Sequence, residues 1–157
     1  MLLTGCAGYR LGPTNGLAAS GRSVQISPLV NKTSEPRLGD YVMNSLRKDL
    51  QQDGTYRLAT HEQGDIIVSG VILAYRRSEL SYLPTDVVTV LDYDIYLTMQ
   101  LTARERATGR VLVDKPVIGR TSLRAGNDLP SAERQAIPLL AEDLARKATE
   151  LLVDGTW

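Results

Sequence analysis

Residues 87–105 alternate over most of their length. Val87, Thr89, Leu91, Tyr93, Ile95, Leu97, Met99, Leu101 and Ala103 share one phase; Asp92, Asp94, Tyr96, Thr98, Gln100, Thr102 and Arg104 share the other. A period of two predicts a strand with one buried and one wet face. Residues 64–77, GDIIVSGVILAYRR, are apolar in both phases for much of their length and predict a long central strand. The stretch 23–31, SVQISPLVN, alternates Val24, Ile26, Pro28 and Val30 against Ser23, Gln25 and Ser27, and Pro28 marks a strand edge or end. A turn at Thr108-Gly109 sends 110–123 back as the last strand. Residues 56–59 read as a short strand or arm, 61–65 as a turn, and 78–86 and 123–130 as loops.

Two segments change period. Leu38, Val42, Leu46 and Leu50 stand four apart with charged residues between them, which predicts an amphipathic helix. Ser34-Glu35-Pro36 signals its start and Gly54 its stop. Residues 131–155 carry a second apolar stripe of Ile137, Leu140, Leu144, Ala148, Leu151 and Leu152, with Pro138 expected to kink the helix or restart it. The order β-α-β(β)-β-β-α predicts an α/β (α+β) two-layer sandwich: a mixed, mostly antiparallel four-stranded sheet covered on one face by two helices.

The chain has 157 residues, room for one core. It contains no Phe, so Leu, Val and Ile must fill that core. Eighteen basic residues balance eighteen acidic ones, which gives no field for nucleic acid. One Cys and one His leave no internal disulfide and no multi-histidine metal site. No cofactor motif is present: there is no glycine-rich phosphate loop, no histidine pair at helical spacing and no nucleophile elbow.

Asp92 and Asp94 share a strand face and could serve acid–base chemistry with His61, if a cleft joined all three. A solvated sheet face and a polar turn are the simpler expectation for them. Charge is uneven near the end of the chain. Arg104, Arg106, Arg110, Lys115, Arg120 and Arg124 outnumber Glu105 and Asp114, whereas 128–154 holds three bases and six acids. With Arg76 and Arg77, that basic side could meet phosphate or anionic sugar through guanidinium forks, or form only a solubilising rim.

The first residues read MLLTGCAGYRLG. Leu3-Thr4-Gly5-Cys6 has the pattern of a lipobox, an aliphatic residue and two small ones before a cysteine whose thiol accepts diacylglycerol. Only Met1-Leu2-Leu3 stand before it, so 1–6 reads as the remnant of a secretory signal. Residues 7–22, rich in Gly, Ala and turn formers, read as a tether, and 23–157 as one domain.

With LTGCAGYRLG, VQISPLVNKTSEPRL, LRKDLQQDGTYRLA, GDIIVSGVI, the TGRVL hairpin and the closing AEDLARKATELLVDG in this order, the chain resembles the LptE-like family, the outer-membrane lipoproteins of lipopolysaccharide assembly. The resemblance implies two helices on a small mixed sheet and a lipid anchor at Cys6. It implies a periplasm-facing plug inside an LptD-like β-barrel that assists barrel assembly and binds lipopolysaccharide without catalysis. Ala7, in place of Asp after the cysteine, does not resemble an inner-membrane retention signal. By position, Arg76 and Arg77 best match the family's glycolipid-binding loop residues, and Arg124 follows them. The run from 23 to 70 also resembles periplasmic lipoproteins that activate peptidoglycan synthases or join secretion assemblies.

Overall fold

A computed structural model describes residues 21–61, 63–83, 86–125 and 128–155, with the side chains of 81–91 outside that description. The lipobox and residues 7–20 of the expected tether lie outside the described residues. Along the chain run β1 (Ser23–Ile26), β2 (Val30–Asn31), α1 (Leu38–Asp53), β3 (Arg57–Leu58), β4 (Ile66–Leu83), β5 (Asp86–Glu105), β6 (Val111–Arg124) and α2 (Leu129–Val153).

The six strands form one sheet in the order β3-β1-β4-β5-β6, with β2 on β4 beyond the end of β1. Six strands replace the expected four. Ser27-Pro28-Leu29 divides the 23–31 stretch into β1 and β2, and the 56–59 arm contributes β3 beside β1. Nor is the sheet mostly antiparallel. The β1–β3, β1–β4 and β2–β4 pairings are parallel, and only β4–β5 and β5–β6 are antiparallel. An amphipathic helix between β2 and β3 makes a crossover, and a crossover returns its strand parallel.

Both helices lie on one face. Ile95, Leu97, Met99, Leu101 and Ala103 of β5 are fully buried against them, as the alternation predicts. Val24, Ile26, Ile66, Val68, Ile72, Val113, Val117 and Leu123 extend the floor, while Leu38, Val42, Leu46 and Leu50 of α1 and Leu140, Leu144, Ala148 and Leu152 of α2 close it from above. Gly119 on β6 allows α2 to approach; a Cβ there would lie 2.8 Å from Leu144 Cβ and 2.9 Å from the Leu140 carbonyl oxygen.

Helix boundaries follow local chemistry. Asn31 knits the turn before α1: its Nδ2 donates to the Glu35 carbonyl (2.7 Å) and its Oδ1 accepts from Thr33 N–H (2.9 Å). The helix therefore begins at Leu38, after Pro36 rather than at it. Gly54 stops it in the left-handed region, φ 73°. The Asp128 side chain caps α2 by accepting from Ser131 N–H (3.1 Å). That helix runs unbroken through Pro138, so the expected restart does not occur.

The largest departure lies in 78–86, read above as a loop. β4 continues to Leu83 and β5 begins at Asp86, so the two strands make one long hairpin. β4 shifts register after Ile72 and again after Glu79, leaving Leu73 and Leu80 as bulge residues. Both are exposed, by 45% and 51%. Each bulge inverts the phase of the side chains after it, so a continuous strand loses its alternating signature.

Candidate functional site

The sheet face away from the helices carries the clustered chemistry. The register of the long hairpin and β6 sets side chains in rows. Arg76, Tyr96 and Arg120 form one row across β4, β5 and β6; Ser78, Asp94 and Ser122 form the next; Asp92 and Arg124 stand opposite each other beyond them. Rows are neighbours because residues two apart on a strand share a face.

Asp94 is the centre. It is only 1% exposed, covered by a layer of polar side chains rather than by core. Its carboxylate accepts from the Ser122 hydroxyl (2.6 Å), from the Arg120 guanidinium and from the Tyr96 hydroxyl (3.2 Å). The Ser122 hydroxyl, then Arg120 and Tyr96, hold this carboxyl below the usual carboxylate range against the opposing effect of burial. Arg120 also sits 5.8 Å from the Tyr96 ring centroid, within reach of a cation–π contact. Arg124 pairs with Asp92 at 3.0 Å.

The three arginines singled out in the sequence are therefore separated. Arg76 and Arg77, being consecutive, point to opposite faces. Arg77 turns to the helix side and pairs with Glu133 of α2 at 3.2 Å; the same carboxylate accepts from the Tyr75 hydroxyl at 3.0 Å. Burial, then that hydrogen bond, pushes the Tyr75 phenol well above its ordinary value, so it stays neutral. Arg124 lies on the open side and is already ion-paired. Arg76 stands on the open face with no ion pair among the described residues. It lines a shallow cavity of about 370 Å³ with Arg77, Ser78, Tyr96, Thr98 and Ile118. Arg120 entered the sequence reading only as one of the basic run 104–124, and Tyr96 not as a site residue; the pairing of β5 with β4 and β6 brings both beside Arg76.

The acid–base constellation does not assemble. His61 precedes the start of β4, whereas Asp94 pairs with Ser78 twelve residues along it, about 40 Å at the rise of a strand. Nor is Asp94 solvated as expected: it is buried and its oxygens are committed. Among the described residues no group of three His, Cys, Asp or Glu side chains could hold a metal ion, and no helix is long and apolar enough to cross a membrane.

The clustered polar side chains of this two-layer domain thus lie on the sheet face away from the helices. The family model LptE, Lipopolysaccharide-assembly, matches residues 21–153, and the chain belongs to that family. Comparison with curated protein sequences gives no match. Among solved structures the fold recurs in the hypothetical protein CT253 of Chlamydia trachomatis, with TM-score 0.64 and 12% identity over 87% of this chain and 98% of that one. It recurs in a minor lipoprotein of Acinetobacter baumannii, with TM-score 0.58 and 16% identity over 85% and 93%. Protein XCC0632 of Xanthomonas campestris shares it too, with TM-score 0.67 and 8% identity over 94% and 93%.

Proposed function

We propose that this protein is a lipid-anchored component of lipopolysaccharide assembly, held at the outer membrane through Cys6 and seated on the periplasmic side within an LptD-like β-barrel. It acts by binding, assisting assembly of the barrel and passage of the glycolipid. The family match over the whole described domain is the observation that carries this reading. Such a plug needs a rigid fold with polar surfaces toward a wet lumen. One acyl chain anchors weakly, so further chains or the barrel itself must complete the attachment.

The three arginines differ as candidates for the glycolipid contact. Arg124 is matched to Asp92 and Arg77 to Glu133, so each would have to give up a carboxylate to take a phosphate. Arg76 has no such competitor, and its cavity sets Tyr96 and Ile118 beside it for acyl or sugar surface. Arg76 is the proposed phosphate contact.

The test is co-purification of the full-length chain from its own membranes. A large β-barrel partner together with lipopolysaccharide is expected. A peptidoglycan synthase or secretion assembly in their place would overturn the reading for the runner-up. Mass spectrometry of the mature N-terminus should find an acylated Cys6, and Cys6→Ser should release the protein from membranes; persistent membrane association would refute the anchor.

A further inference from the structure

Two long stretches of strand lie at the margin of the sheet: β6, and β4 beyond Ile72, where β1 and β2 no longer accompany it. An uncovered margin presents unpaired N–H and C=O groups to any extended chain. The two margins are treated differently.

The β6 margin is closed. Pro116 has no N–H to offer. The Ile118 carbonyl accepts from Lys147 Nζ of α2 at 3.0 Å, and the Arg120 N–H donates to the Asp143 carboxylate of α2 at 2.8 Å. Alternate outward positions along β6 are thus blocked by a proline and by two side chains of the overlying helix.

At Tyr75 and Arg77 the β4 margin has no such closure among the described residues. Its lower part is satisfied, since Ser27 N–H donates to the Val68 carbonyl (2.8 Å) and Lys32 N–H to the Ile72 carbonyl (3.0 Å). These bonds fix which residues face outward. Ile72 pairs with Met99, and the same phase of β5 continues through Leu97 and Ile95, which pair with Tyr75 and Arg77. Antiparallel ladders alternate bonded and outward-facing pairs, so Tyr75 and Arg77 direct their backbone N–H and C=O away from β5. Between the bulges at Leu73 and Leu80 lies a regular stretch of six residues, 74–79, about 20 Å long. Exposed leucines bound it at both ends.

We propose that β4 accepts, at the outward backbone groups of Tyr75 and Arg77, an extended segment of another protein as an added strand, with an Asp or Glu of that segment beside Arg76 on the open face and its apolar ends toward Leu73 and Leu80. A second copy of this chain fits poorly. Self-pairing centred on Arg76 or on Arg77 sets arginine opposite arginine, which is repulsive. Arg76, with no carboxylate partner of its own, calls for an acidic one. The backbone edge does not depend on the glycolipid reading, but at Arg76 an acidic side chain of the segment and a glycolipid phosphate exclude each other.

A photo-reactive amino acid at Leu80 of the full-length chain, in its native cells, tests this. The expected product is a cross-link to one acidic segment of a single partner, identified by mass spectrometry, with no such link from the exposed Val111 of β6. Arg77→Pro removes an outward N–H at a site where an edge tolerates proline, and should cut the yield about tenfold relative to Arg77→Ala, which keeps the N–H. A synthetic peptide copied from the linked segment should slow amide exchange at Tyr75 and Arg77 in the unsubstituted chain, and replacing its acid by glutamine should weaken it. Links to lipid or to a second copy, equal yields from Arg77→Pro and Arg77→Ala, or unchanged exchange at Tyr75 and Arg77 would each overturn the proposal.

Discussion

Gly119→Ala should destabilise this protein, although alanine usually improves on glycine in the unfolded-state balance. The added Cβ would meet Leu144 Cβ at 2.8 Å, the Leu140 carbonyl oxygen at 2.9 Å and the Leu144 nitrogen at 3.0 Å. Two of those three atoms are helix backbone and cannot turn aside. Carbon atoms pack best at about 3.5–4.0 Å, so α2 must retreat by about 0.7 Å. Leu140 and Leu144 are wholly buried at this seam, and their contacts loosen together. Overpacking of a close-packed core costs about 1–3 kcal/mol. Lower unfolded-state entropy returns about 0.4–1 kcal/mol. The net loss is about 1–2 kcal/mol, which for a domain of this size lowers Tm by about 3–8 °C. Gly39→Ala supplies the opposite case: an added Cβ meets nothing within 4 Å on α1, and helix propensity predicts a gain of up to about 0.8 kcal/mol. Thermal melts followed by circular dichroism, with urea unfolding for the free energies, measure both. An unchanged or raised Tm for Gly119→Ala would show that α2 does not rest on β6 in the manner described.

Other expectations follow from charge and burial. The carboxyls of Asp94, Asp65 and Asp128 are held below their ordinary values, mainly by hydrogen bonds from Ser122, Ser23 and Ser131 respectively. Their contribution is complete above about pH 3.9 and drains as pH falls through the lower folded-state values, because the unfolded chain then binds more protons. Urea unfolding from pH 5 to pH 2 should show that loss, and Asp94→Asn should flatten it; an identical pH profile in the variant would refute the assignment. Leu97→Asp should unfold the domain, since the site is fully buried and offers the charge no partner, and an intact cooperative melt would show the face of β5 misassigned. Arg76→Glu should weaken lipopolysaccharide capture with Tm nearly unchanged, whereas Arg77→Glu should lower Tm by setting a carboxylate against Glu133. Equal behaviour of the two variants in both assays would contradict their placement on opposite faces.

How far this fold can be read from its residues depends on whether a signal is local. The β5 phase of Ile95, Leu97, Met99, Leu101 and Ala103 is a local alternation imposed by a single buried face, and it was legible. So were the apolar stripes of both helices and the Gly54 stop. The two-residue strands β2 and β3 are too short for any period to register, so the strand count and the parallel pairings were missed. In β4 the bulges at Leu73 and Leu80 invert the phase twice, and Ser78-Glu79-Leu80-Ser81 then imitates a loop. The candidate site is less legible still. Arg76 was named, but its separation from Arg77 follows only once both are known to lie on a strand. Arg120 and Tyr96 join it through cross-strand register. A trace of that register was present: Asp92 and Asp94 are spaced like Arg124 and Ser122, and a hairpin closing near Gly109 brings the pairs together, give or take the one-residue slip after Ala103.

The length of the β4–β5 hairpin has a mechanical meaning. The chain enters the sheet at Ser23, beside the foot of β4 at Ile66, and the hairpin reverses beyond Leu83, about 55 Å farther along the strand. A holdfast upstream of Ser23 would fix the foot and leave the far end to sweep a wide arc, so a small tilt at the base becomes a displacement of many ångströms at the tip. A ribbon braced by α2 at Arg77 and carried on past that brace would work as a boom.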